Sequence, residues 1–488
     1  LLQEYTKPNM TKMEIEGVIM DKDFDLFQLH DPELDIQNMG WICFKGKNLL
    51  NIVNSLILDV LGENNIKNRK GLCRLITNKS NIWIEEQIVY NQREWYPIPI
   101  LQTLLDLTNK KDIYKKDILD NVQYLKCNCS SSKEIKAVKK LDSNLCKMAG
   151  AHAGDGSLGQ DLRIEITKDD KKTISELNEI CDQKLNKIKN RLRATIQTKK
   201  IKNFISDASN LINKRSITLI LRDQINLTDG YFKAMVAYKK WIFEVFGLEV
   251  DIKRYNKKNA WRIDYNNKII SRYFTKFFGF PTNSKTYIVR EPEIIKNSDI
   301  EFRKSFLVGL MTFEGYVPMG GNGIHIISKS KGLIYDVYDI FRKCNFDVKL
   351  KKDGYGRWIC ENLHLDDKKI KESLSFFEKD TEKWQKLYER LNGFSQHCKT
   401  ITEGREILMN NYPKKPMSKI STVELFDLLL SKKTIDYRKL LKILKVNEST
   451  LRSHLNVIER MSIIKKEKRK PLILDFNKNF GEWRLPKL

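Results

Sequence analysis

Two acids stand where this sequence can do chemistry. Residues 148–156 read Met-Ala-Gly-Ala-His-Ala-Gly-Asp-Gly, and residues 307–315 read Leu-Val-Gly-Leu-Met-Thr-Phe-Glu-Gly. Superposed, Gly150 falls on Gly309 and Asp155 on Glu314, and each acid is followed by a glycine. Both stretches close helix-like runs that carry start signals. Asp142 or Ser143 can N-cap the first, and Ser298 and Glu301 have capping-box spacing before the second. The closing glycines, Gly156 and Gly315, fit left-handed helix stops. A carboxylate in the last turn faces the partly negative carbonyl end of its helix, an unfavourable place for it. Two such helices touching through Gly150, Gly154 and Gly309 bring Asp155 and Glu314 together, and their like charges then ask for a cation between them. A hard divalent cation on carboxylate oxygens, with places left for water and phosphate, is what phosphodiester hydrolysis needs.

The elements that position these acids occur twice. The first half continues with alternation over residues 162–167, a second strand over residues 217–222, and an amphipathic helix over residues 231–246 that carries Phe232, Met235, Val236, Ile242, Phe243 and Phe246. The second half has Ile324 to Ser328, then a helix through Leu333, Val337, Ile340 and Phe341. Gly247 and Asn345 occupy the same helix-stop position. Paired strands follow in each half, over residues 261–265 and 357–360. Each half ends on an aromatic helix, with Phe277 and Phe278 in one and Phe376 and Phe377 in the other.

Both nine-residue stretches resemble the LAGLIDADG motif of homing endonucleases in its two-motif, single-chain form, and the resemblance covers residues 136–395. It implies an α+β fold of two pseudo-symmetric αββαββα halves that form a saddle-shaped DNA-binding sheet. It implies a metal-dependent, site-specific double-strand DNA endonuclease cutting across the minor groove. Asp155 and Glu314 would hold Mg²⁺ or Mn²⁺. Basic or amide residues of the family's sheets orient the attacking water, and the nearest positional matches are Lys168 and Lys329. Arg163, Arg222, Lys253, Arg262, Lys349, Lys351 and Arg357 would form the concave face, with Arg suited to guanine edges and Lys to phosphates. The sequence departs from the pattern at Phe313, where a small residue is usual and Gly154 stands opposite. Ala153 and Thr312 replace the motif's first acid. The alternatives are a catalytically silent DNA-binding transcription regulator and an intron RNA maturase. An intein is disfavoured, because the chain neither starts with Cys or Ser nor ends in His-Asn.

Composition agrees with a polyanionic partner. Lys and Arg number 88 against 62 Asp and Glu, a net charge of +26 spread along the chain, which suits nucleic acid. The competing explanation is a Lys- and Asn-rich compositional bias. Hydrophobic content of 41% supports ordinary cores, and no apolar run approaches the roughly 20 residues that span a bilayer. The chain opens on Leu1 with no visible signal peptide. A monomer in the cytoplasm is expected, nucleoid-associated, with an organellar matrix as the alternative setting. Nine scattered cysteines argue for reduced thiols. Cys127 and Cys129 form a lone Cys-x-Cys without a second zinc-spaced pair, and His152 reads as a packed helix-face residue.

Four regions are expected. Residues 1–135 form an N-terminal α+β region of unassigned role, with a helix over residues 48–61, two or three strands over residues 72–95, and a helix over residues 101–107. Arg69, Lys70, Arg74 and Arg93 there fit phosphate contacts or a solvated basic surface equally. Residues 136–290 make the first half, with a long charged helical insertion at about 171–212, and residues 291–400 the second. After a linker over residues 411–415, residues 412–488 resemble a winged helix-turn-helix. Its third helix offers Thr450, Arg452, Ser453 and Asn456, and a basic turn carries Lys468 and Arg469. A three-helix protein-interaction module is the alternative there.

Overall fold

The computed structural model describes residues 23–35, 40–80, 94–128, 132–166, 171–180, 193–197, 201–208, 217–255, 260–282, 285–318, 323–362, 365, 367–392, 401–411, 419–432, 434–460, 464–467 and 473–476. The architecture is mixed α+β, and every paired strand is antiparallel.

Two long apolar helices form its centre, Ser143–Gly154 and Ile300–Phe313. Asp142 starts the first as its N-cap, accepting from the N–H groups of Asn144 and Leu145. The second starts at Asp299 without a side-chain cap, and Ser298 instead donates to the Ile295 carbonyl at 2.5 Å. The expected Ser298–Glu301 capping box is therefore absent. A helix already locked by burial needs little from its cap.

After the first helix the chain runs directly into strand Gly156–Ile166, which pairs along its length with Ile217–Asp229. Ala260–Tyr265 and Ile252–Tyr255 extend this sheet on one side, and Arg193–Gln197 on the other. Among the described residues, the expected long helical insertion contains helices Lys171–Ile180 and Ile201–Asp207 with an edge strand between them. Arg193–Gln197 is polar enough to read as helix surface, yet it pairs with Asp161 to Glu165. After the second helix a three-stranded sheet is built from Ile324–Ser328, Trp358–Asn362 and Lys349–Lys352. Helix Phe232–Phe246 follows strand Ile217–Asp229 and helix Lys331–Lys343 follows strand Ile324–Ser328, the former stopped by Gly247 at φ 67° and the latter followed by Asn345 at φ 56°.

The N-terminal region is joined to the first half, with one contiguous apolar core from Phe24 to Leu387. Its sheet contains Ile42–Lys45 and Tyr124–Cys127. Residues 72–80, expected to begin the strand region, lie in helix Arg69–Ser80, because Leu72, Cys73 and Ile76 fall on one buried face. The remainder of that expectation, residues 81–93, lies outside the described residues. Asp31 and Asp35 meet Arg272, Lys268 and Lys276 of the first half, with Asp31 to Arg272 at 3.1 Å and to Lys276 at 2.8 Å. Burial opposes ionisation of Asp35, but His30, Lys268 and Arg272 hold its carboxyl well below the usual range.

The C-terminal residues have a separate core, from Leu408 to Ile458. Helix Thr422–Lys432, strand Thr434–Asp436, helices Tyr437–Leu444 and Glu448–Arg460, and a hairpin of Ile464–Glu467 and Ile473–Phe476 follow in order. Ile473–Phe476 is the central strand. Asn411 is the last residue of helix Ile401–Asn411, so the expected linker does not begin there. No helix among the described residues is long and apolar enough to cross a membrane.

Candidate active site between the two motif helices

The two motif helices meet backbone to backbone. A Cβ on Gly150 would lie 2.0 Å from the Phe306 carbonyl oxygen, and one on Gly309 would lie 1.9 Å from that of Lys147. At Gly154 it would sit 2.5 Å from Glu314 Cγ. All three expected interface glycines are required by space. The closing glycines are too, although neither adopts the left-handed conformation expected of a helix stop. A Cβ on Gly156 would strike His152 Nδ1 at 2.1 Å, and one on Gly315 the Met311 carbonyl at 2.3 Å.

This contact places Asp155 and Glu314 in matching positions. Each caps its helix C-terminus with right-handed backbone (φ −89° and −90°), donating its N–H to Ala151 and Leu310 respectively. The Asp155 carboxyl lies near enough to disfavour ionisation of Glu314, and a cation between the two would relieve that. Burial, and behind it the Asp155 charge, pushes the Glu314 carboxyl up to about 7, while Lys383 and Lys285 pull the other way. Glu314 remains open to solvent on its outer side, the side from which a ligand would arrive. The departure at Phe313 does not part the helices. Its ring is buried edge-on against Tyr238 and Trp241, with centroids 6.1 and 6.4 Å away.

Two lysines that the sequence did not single out complete the centre. Lys285 donates to the carbonyls of His152, Ala153 and Gly154, the exposed end of the first motif helix. Lys383, 6% exposed, donates to the Phe313 carbonyl at the end of the second. Each ammonium thus neutralises the negative helix end that makes a carboxylate there unfavourable. Burial draws Lys285 down to about 8, with Asp155 and Glu314 resisting. One signal was available in the repeats. Lys285 lies seven residues past Phe278, and Lys383 six past Phe377. Asp229, at the end of its strand, was also missed. It is buried against Asp155, and desolvation raises its carboxyl well above the usual range. His152 bonds Tyr238 at 2.7 Å, and burial followed by the Lys285 charge pushes it down to about 3, as suits a packed neutral imidazole.

Beside Glu314 opens a cleft of about 710 Å³, which reaches Lys285, Tyr316, His325, Lys329 and Arg357. Lys329 is exposed there, its Nζ 5.6 Å from the Tyr287 ring centre. Lys168 lies outside the described residues. Arg222, Lys253 and Lys349 are exposed on their sheets. Arg262 is held by Asp264 and by Asn226 at 3.0 Å. Lys351 pairs with Glu361, and Arg357 with Asp353 at 2.7 Å. These three reach a ligand only by exchanging partners. Arg163 lies in its strand without a described side chain, Arg452 is exposed and pairs with Glu448 at 2.7 Å, and Lys468 and Arg469 lie outside the described residues.

Among the described residues no group of three or more His, Cys, Asp or Glu is set to enclose an ion. Two carboxylates suit a cation that keeps much of its water shell and takes oxygens from a substrate, as Mg²⁺ does.

Comparisons with known proteins extend over parts of the chain. No family model matches. A 122-residue stretch is 28% identical to elongation factor 2 of Methanopyrus kandleri, covering 25% of this chain and 9% of that protein's length. Among solved structures, the homing endonuclease I-DmoI in complex with DNA and Ca is similar at a TM-score of 0.29 and 13% identity. The match covers 48% of this chain and 92% of that one. The LAGLIDADG homing endonuclease I-LtrWI bound to target DNA is similar at a TM-score of 0.26 and 10% identity, covering 67% and 99%. Full-length DUF199/WhiA from Thermatoga maritima is similar at a TM-score of 0.22 and 14% identity, covering 49% and 83%. At these TM-scores function has to be read from the site itself.

Proposed function

We propose that this chain is a divalent-metal-dependent endonuclease of the LAGLIDADG homing type, acting on double-stranded DNA with a long asymmetric target. The carrying observation is the meeting of Asp155 and Glu314 at a glycine-packed helix junction, each helix end neutralised by its own lysine. The two carboxylates fit Mg²⁺ or Mn²⁺, which supplies phosphate polarisation and a water acidic enough to act as nucleophile. The chain does the rest. Asp155 and Glu314 fix the cation's place. Lys285 and Lys383 neutralise the carbonyl ends of the two helices that carry the acids. Lys329 faces the cleft, where a phosphate or its attacking water would lie. Arg222, Lys253 and Lys349 supply salt-sensitive hold on the duplex backbone, and the two sheets act as the halves of one saddle.

We read the C-terminal helix, strand, helix, helix and hairpin as a winged helix-turn-helix in which Glu448–Arg460 would be the helix presented to the major groove. This module favours a second reading, a DNA-binding regulator without cleavage.

Cleavage of a plasmid library carrying random inserts, with Mg²⁺ or with EDTA, separates the two. Wild type is expected to linearise a subset with Mg²⁺ only, while Asp155→Asn reduces cutting to background and leaves DNA affinity unchanged. Equal cutting by D155N would remove the metal site from the reaction. Sequence-specific binding without any cutting by wild type would support the regulator, and preference for structured RNA over DNA as competitor would support a maturase.

A further inference from the structure

Where the chain passes from the first half to the second it makes a tight turn. The Lys285 carbonyl accepts from the Ile288 N–H at 3.0 Å and from the Val289 N–H at 2.9 Å. Both ends of the turn are fixed. The Lys285 ammonium is held by the carbonyl end of the first motif helix. Val289 is buried, and its carbonyl accepts from Ser330 Oγ at 2.5 Å. Between these anchors Tyr287 and Ile288 stand out into solvent, 68% and 63% exposed. Thr286 and Val289 line the cleft beside Glu314, so the turn is one wall of that cleft and the two side chains rise from it. Lys329, also in the cleft lining, holds its ammonium 5.6 Å from the Tyr287 ring centre. Singly exposed apolar side chains are ordinary. Two in succession, held out by a braced turn beside an acid site, suit a contact surface.

Resting on the nuclease reading above, we infer that Tyr287 and Ile288 form a wedge pressed into the minor groove of the duplex between the two cuts. Acids lying side by side reach both strands only where the backbones come close, across a minor groove about 6 Å wide and not a major groove about 12 Å wide. The turn beside them then meets the floor of that groove. Apolar side chains inserted there part a base step and bend the duplex toward its major groove, which opens the minor groove to the acids. Lys329, next to the ring, meets the phosphates alongside. An apolar wedge selects base steps by how readily they open, and pyrimidine–purine steps such as TA and CA open most readily. The sequence between the cuts is therefore read by its deformability.

The test uses the target recovered from the plasmid library, with 2-aminopurine placed between the two cuts so that unstacking is read as fluorescence. In EDTA, saturating wild type is expected to brighten it, and the double variant Tyr287→Ala, Ile288→Ala to leave it dark. With Mg²⁺ the double variant should cut the intact target about tenfold or more slowly, and regain the wild-type rate when a mismatch between the cuts has already opened the stack. No brightening by wild type on a target that it cuts overturns the wedge and leaves the nuclease reading standing. Wild-type brightening by the double variant also overturns it. Equal slowing on intact and mismatched targets does so too, because the two residues would then serve the shape of the turn and not the bases. A wild type that cuts no target in Mg²⁺ refutes the nuclease reading and this inference together.

Discussion

A carboxylate pair, two lysines and a third buried acid make the centre unusually sensitive to protons. Glu314 carries its folded pKa to about 7, above the 4.5 of the free side chain. Between those values the folded protein keeps a proton that the unfolded chain has lost, so metal-free stability falls as pH rises through that window. Lys285 acts in the opposite sense higher up. Its folded value of about 8 lies below 10.5, so stability recovers between them. Urea midpoints at pH 5, 7 and 9 should pass through a minimum near neutrality, shallow because Glu314 is partly open to water. Saturating Mn²⁺ should raise the midpoint least at pH 5, where Glu314 holds a proton that the metal must displace, and more at pH 7 and 9. A midpoint independent of both pH and Mn²⁺ would contradict the pairing of the acids. The acids themselves are legible in the sequence because a nine-residue pattern repeats. Lys285 and Lys383 show only as a lysine shortly after each half's aromatic helix, since their carbonyl partners lie up to 133 and 70 residues away.

Among elements, the glycine junction bears the greatest steric constraint. Gly309→Ala drives a methyl into the Lys147 carbonyl and should cost about 3 kcal/mol or more, as overpacking against immovable backbone does. Gly62→Ala, in helix Leu49–Glu63 with nothing within 4 Å of the new Cβ, should instead be neutral or stabilise by about 0.5–1 kcal/mol. Chemical denaturation of both variants gives the comparison, and equal effects would mean that the motif helices are not in close contact. Sequence periodicity reads such elements well where burial is one-sided. Phe232–Phe246 lies close to where the pattern puts it. It fails where tertiary pairing overrides local preference. Arg193–Gln197 is a strand because a neighbouring strand offers it hydrogen bonds, and Leu72, Cys73 and Ile76 were obscured by the β-branched run just after them.

At the scale of the whole molecule, +26 of net charge and exposed basic residues on the sheets set the hold on a polyanion. Duplex affinity should fall steeply with salt, and replacing Lys253 and Lys349 together by Ala should flatten the slope of log K against log salt by about 1.8. An unchanged slope would take both lysines off the duplex. The separate core from Leu408 to Ile458 predicts two unfolding transitions in calorimetry. Ending the chain at residue 411 should delete one of them and leave the other at its original temperature. A single merged transition, or a shift of the remaining one, would show that the modules are coupled.

The lysine clamps also bear on the order in which the molecule is made. The carbonyl end of the first motif helix is satisfied by Lys285, which is synthesised before the second motif. Lys383 belongs to a later stretch, and besides the second motif helix it reaches the ring of Tyr231 at 5.5 Å. A nascent chain therefore holds both parts of the first clamp before it holds either part of the second, and Lys383 is the last of the centre's groups to be made.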